Sequence, residues 1–128
     1  MNKKDIVDYW ASEANESLQV AKHLFEKKDY SYSLFFGHLA IEKLLKSIYV
    51  KTKDENVPRT HHLIRLAKAS NLNIPEDIAA DLIRITAFNL EARYPDYKKS
   101  FRAKCTKHFT SQELDKIDGV FQWLKSTN

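Results

Sequence analysis

YSYSLFFGHLAIEKLLKSIYVK, residues Tyr30–Lys51, reads as a helix that is apolar over more than one face. Leu34/Phe35, Leu39, Leu45 and Ile48/Tyr49 fall on one side at helical spacing, and Phe36, Ala40 and Leu44 lie beside them. A surface helix needs only a single apolar stripe. An arc this broad predicts a helix covered from several directions, at the centre of a helical bundle.

The flanking sequence supplies helices to cover it. Lys27-Lys28-Asp29 makes a polar break upstream, and before it Lys4–Lys27 carries Trp10, Ala14, Leu18, Ala21 and Leu24/Phe25 as one stripe. Downstream, Lys51–Arg59 is charged and contains Pro58, so it reads as a loop. Thr60 is then placed to cap a short helix with Leu63, Leu66 and Ala67 facing inward. Asn71-Leu72-Asn73 turns the chain. Pro75-Glu76-Asp77 opens the next helix, with proline at its start and acids at the positive end of its dipole. Ile78, Leu82, Ile85 and Phe88/Asn89 form its stripe, and Pro95 is expected to stop it after Arg93. Thr110-Ser-Gln-Glu113 has the form of a capping box for a last helix carrying Leu114, Ile117, Val120/Phe121 and Leu124. Two glycines and three prolines are few turn-formers, and no strand alternation or internal repeat is present. The expected architecture is all-α: an up-and-down bundle of four long helices plus one short helix, in a single domain spanning residues 1–128.

Composition narrows the function classes only coarsely. Hydrophobic residues make up 43% and charged residues 30%, a globular mixture. A lone Cys105 excludes an internal disulfide framework and any zinc site built on several cysteines. The first residues lack the apolar core of a leader peptide, and no run approaches the roughly 20 apolar residues of a membrane span. The expectation is a cytoplasmic protein without a membrane partner.

Gly37 and Gly119 are isolated, so neither phosphate-cradling glycine motif can form, and no cofactor is expected. His61-His62 invites a metal reading. Neighbours on a helix diverge by about 100°, however, so one packed and one solvated histidine is the simpler expectation, with no metal site. His38, Glu42 and Lys46 follow at i, i+4 steps on one face of the second helix. They could line a polar groove, with Glu42 setting the histidine tautomer, or form a solvated helix side or a polar dimer seam.

The charge is unevenly placed. Arg93–His108 holds six Lys/Arg against one acid, Asp96; taking that +5 from the chain's net +4 leaves −1 for everything else. Tyr94, Tyr97 and Phe101 are interleaved with the cations. This composition suits phosphate contact by Arg93, Lys98, Lys99, Arg102 and Lys104 together with base stacking. It equally suits a solvated connection pinned to the core by its aromatics. Lying between Pro95 and Thr110, the segment is expected to be irregular.

Taken in order, these pieces resemble the HEPN domain family. Tyr30–Tyr49 is similar to that family's second helix, with its Tyr/Phe lead-in, Glu42-Lys43 and Leu45-Lys46. Thr60-His-His-Leu63 resembles its Thr-His-x-Leu turn, and Ala92-Arg-Tyr-Pro-Asp96 its segment of the same form. Trp10 and Trp123 also sit where the family has tryptophans. Leu39 departs from the pattern, which often has glutamine there.

The resemblance implies a dimeric helical bundle that binds nucleotide or RNA. It also implies a small nucleotidyltransferase as protein partner, in a paired system of toxin–antitoxin type. Some branches are metal-independent endoribonucleases built on Arg-x4–6-His, a spacing that Arg102 and His108 satisfy. In such a site His108 would act as acid/base and Arg102 would stabilise charge on phosphate. The remaining alternative is a non-catalytic protein-interaction partner. Apart from the resemblance, an aromatic-rich second helix and two tryptophans offer more apolar face than one layer covers, which also points to a homodimer.

Overall fold

The computed structural model describes residues 2–127. Six α-helices follow one another: α1 (Lys3–Glu26), α2 (Tyr30–Thr52), α3 (Leu63–Ala69), α4 (Glu76–Arg93), α5 (Pro95–Lys104) and α6 (Lys107–Ser126). The all-α bundle is as expected, but four long helices and one short helix undercount it. The segment expected to be an irregular connection is largely α5, a ten-residue helix. The physical reason lies in Pro95. Its ring breaks α4, as anticipated, yet its fixed φ and missing N–H also suit the first position of a new helix, with Tyr94 as extended cap.

The last helix also begins earlier than the Thr110 capping box implied. Thr106 is the N-cap, and its Oγ1 accepts from the Phe109 amide at 3.1 Å. Thr110 is buried one turn inside. Glu113 is buried too, bound to Arg84 and Lys116.

α2 is the central helix: thirteen of its 23 residues are buried, and it packs against each of the other five. Its most extensive partner is α1, reached through a tight reversal in which Lys28 adopts a left-handed backbone (φ 68°). Small residues on α1, namely Ala14, Ser17 and Ala21, let the two backbones approach. Polar ties then fix the register. Ser33 Oγ donates to the Ala21 carbonyl at 2.7 Å, and Ser47 Oγ donates to the Val7 carbonyl at 2.9 Å. On its other side α2 meets α6 at Gly37, where a Cβ would lie 2.6 Å from Ile117 Cδ1. Glycine here is a packing requirement, because the space belongs to Ile117. Leu34, Ile41, Leu45, Leu82, Ile117 and Phe121 fill the core between these helices.

Candidate functional site

Two surfaces collect the polar side chains singled out in the sequence. The first is α5 with the start of α2. Lys98 and Arg102, one turn apart on α5, both face Tyr32. The Arg102 guanidinium donates to the Tyr32 hydroxyl at 3.1 Å and lies 5.6 Å from its ring centre, with Lys98 Nζ at 5.3 Å. Hydrogen bonding to Lys98 and then Arg102 lowers the Tyr32 pKa below its ordinary value. A cleft of about 390 Å³ beside this contact is walled by Lys28–Tyr32, Arg102 and Cys105. Burial chiefly pushes the Cys105 thiol up to about 11, so it stays protonated and is no nucleophile at neutral pH.

Arg93, Lys99 and Lys104 are exposed, and none of the six cations on this segment joins an ion pair among the described residues. Tyr94 and Tyr97 stand in solvent. Phe101 is buried against Phe88, ring centres 5.7 Å apart, so two of the three interleaved aromatics are available for stacking. Arg102 lies in the last turn of α5 and His108 in the first turn of α6, with the break at Cys105-Thr106 between them; Arg102 is directed at Tyr32. His108 is exposed.

The second surface forms around α2's polar strip. His38 is fully buried and Glu42 nearly so, which overturns the expectation of a solvated helix side; Lys46 is half-buried over Trp10, 4.9 Å from the ring. Glu42 is the hub. Its Oε1 accepts from His61 Nδ1 at 2.7 Å, and its Oε2 accepts from Lys46 Nζ at 3.1 Å. Burial alone would raise the Glu42 pKa, but the His61 bond, Lys46 and His38 outweigh it and hold the carboxyl below its ordinary value. His38 Nε2–H donates to the His61 carbonyl at 3.3 Å, its Nδ1 has no partner, and burial lowers its pKa, so it is neutral at pH 7.

His61 therefore differs from the simple solvated or packed histidine expected of the pair. Its ring is anchored by a carboxylate at Nδ1 while its side chain is 54% exposed, and among the described residues Nε2 has no partner. It lines a cleft of about 500 Å³ between the segment before α3 and the outer face of α4. Arg59, His62 and Arg65 stand on one side, and Asn89, Leu90 and Tyr94 on the other. Thr86 ties the walls together: its hydroxyl accepts from the Leu63 amide at 3.2 Å, capping α3. No carboxylate lines this cleft. Tyr94 belongs both to it and to the basic segment, so the two surfaces adjoin.

A family model for HEPN domains matches residues 7–127. The chain belongs to the HEPN family. The HEPN fold is seen again in the crystal structure of TT1696 from Thermus thermophilus, at a TM-score of 0.83 and 19% identity over 100% of both chains. No curated protein sequence matches the chain. Thr60–Leu63 and Ala92–Asp96, two of the segments that carried the resemblance, meet at the His61 cleft through His61, His62 and Tyr94 of this HEPN domain.

Arg59, Arg65, Asn89 and Tyr32 were not legible as site residues. Each owes its place to a partner distant in sequence. For Glu42 and His61 the signal was present in two halves, the i, i+4 strip and the Thr-His-His turn, with nothing in the sequence to join them.

Proposed function

We propose that this HEPN domain is a dimeric RNA- or nucleotide-binding module. The observation that carries this reading is the surface of α5. Arg93, Lys98, Lys99, Arg102 and Lys104 project without acidic partners, beside two solvent-facing tyrosines. Cations that track a backbone and aromatic faces that stack on bases are the two elements of sequence-tolerant single-strand binding. Tyr32 holds Arg102 and Lys98 in place, which reduces the side-chain entropy lost when phosphate binds.

The dimer reading rests on α4. Ile83, Ala87 and Leu90 follow at four- and three-residue steps and lead to Tyr94; Ile83 is 64% exposed and Tyr94 51%. A second copy seated on this stripe removes large apolar side chains from water and brings its own α4 to the rim of the His61 cleft. A small nucleotidyltransferase is the proposed protein partner, tested by co-purification with the product of a neighbouring gene for such an enzyme. For ribonuclease action by Arg102 and His108, no specific contact favours the pairing, and binding is the better supported reading.

The test is fluorescence anisotropy with a short labelled single-stranded RNA across a salt series. Log affinity falls with log salt at a slope of about −0.7 per phosphate neutralised. Lys99→Ala and Lys104→Ala should each flatten that slope, and an affinity indifferent to salt overturns the assignment.

A further inference from the structure

Helix α2 starts without a side-chain cap. Asp29 precedes it, yet its carboxylate accepts from no α2 amide, and the Ser31 and Tyr32 N–H groups have no acceptor among the described residues. Both residues wall the cleft of about 390 Å³ that also takes in Lys28 and Arg102. We infer, on the RNA-binding reading of α5, that this cleft seats one backbone phosphate of the bound strand against the α2 terminus.

Ser31 supplies an indication independent of the helix end. It is 8% exposed, its hydroxyl has no hydrogen-bond partner among the described residues, and it lines the cleft. A buried hydroxyl left unpaired is costly and is relieved by an acceptor entering from the cleft. Amides at a helix start carry the positive end of its dipole, so the acceptor they favour is an anion. Arg102 faces the same space, its guanidinium fixed 3.1 Å from the Tyr32 hydroxyl, and Lys28 adds a second cation. Asp29 is the single acid on these walls; it is exposed, and two cations and the helix terminus outweigh it.

A strand phosphate fits this donor set. Its unesterified oxygens accept from the two amides, the Ser31 hydroxyl and the guanidinium together. Arg102 belongs both to the cleft and to the row of α5 cations, so a strand lying on α5 brings a phosphate within reach of the α2 terminus. Cys105 forms another wall and stays a neutral thiol, which adds no negative charge there. His108 is not among the walls, so the seat grips a strand and assigns Arg102 no cleavage step.

The experiment is titration of the intact, isotope-labelled protein with a short single-stranded RNA, read at each amide by NMR and repeated by fluorescence anisotropy across a salt series. The Ser31 and Tyr32 amide signals should shift with the same midpoint as the anisotropy. Ser31→Asp puts a carboxylate where the phosphate sits; it should weaken binding at least about tenfold and make the salt slope shallower by about 0.7, the share of one phosphate. Ser31→Ala adds no bulk, so it keeps the fold even if the aspartate disturbs it, and it should weaken binding about threefold. Thermal melts of both variants accompany the titrations. Ser31 and Tyr32 amides that stay still while Lys99→Ala flattens the salt slope overturn the seat and leave the α5 reading standing, as does an unchanged affinity in Ser31→Ala. An affinity indifferent to salt overturns both. An oligoglutamate peptide that shifts these amides where RNA does not assigns the cleft to an acidic protein segment and overturns the proposal.

Discussion

His61 Nδ1 lies 2.7 Å from Glu42 Oε1, and the two ends of that bond live in different solvents: the carboxylate is buried on α2 and the imidazole is half in water. The pair therefore pins the segment before α3 to the central helix while leaving one ring nitrogen for the cleft.

That asymmetry predicts unequal costs. Glu42→Gln removes the one carboxylate that binds both Lys46 and His61 and puts a buried amide in its place, which should destabilise the fold by about 1–3 kcal/mol. His61→Ala leaves the carboxylate charged with its Lys46 bond intact and exposes its other oxygen to the cleft, so it should cost less, about 1 kcal/mol. Urea midpoints of the two variants check the order; a larger loss for His61→Ala would show that the imidazole, and not the buried carboxylate, anchors this corner.

Stability should fall with acid in two stages. His38 is buried and its folded pKa is lowered from 6.5, so the unfolded chain binds the proton more readily. The stability tied to its neutral form is present above 6.5 and is lost as pH drops from there through the folded value. Glu42 follows the same direction lower down, since its folded pKa is below 4.5. Melting temperatures between neutral pH and about pH 4 should decline from the His38 window onward. His38→Gln, which has no titrating ring, should flatten the first stage; an unchanged profile in that variant would exclude His38 as its source.

Gly37 faces Ile117 with no room for a methyl group. Gly37→Ala gains about 1 kcal/mol of helix propensity. Against that stands an overpacking cost of about 1–3 kcal/mol where its Cβ meets Ile117 Cδ1. The net expectation is modest destabilisation. Ile117→Val removes the clashing carbon, so Gly37→Ala should become neutral or stabilising in that background. A double-mutant cycle measures the coupling, and simple additivity would refute the contact.

The dimer proposal is tested on α4. Ile83→Glu and Leu90→Glu place charges on the exposed stripe and should convert the proposed dimer to monomer in sedimentation velocity without lowering the monomer's helicity. A wild-type chain that sediments as a monomer, or variants that remain dimeric, would remove this face from consideration.

The sequence by itself determined the all-α class, the centrality of Tyr30–Thr52 and the inward faces of most helices. Helical periodicity is a local property, written in residues three and four apart. It also disclosed the HEPN resemblance and the basic character of Arg93–His108. It misread that segment's shape because proline terminates one helix and starts another with the same ring; in the fold, Phe101 of the new helix packs onto Phe88. It likewise placed the α6 cap one turn late, since Thr106 and Thr110 are both plausible caps until burial of Thr110 chooses between them. Only the tertiary structure decided that His38 and Glu42 face inward, that Glu42 reaches His61 across nineteen residues, and that Arg59, Arg65 and Asn89 surround one cleft. Side chains far apart in the chain meet only when helices pack. The energy of a buried carboxylate depends on those meetings, and no local pattern encodes it.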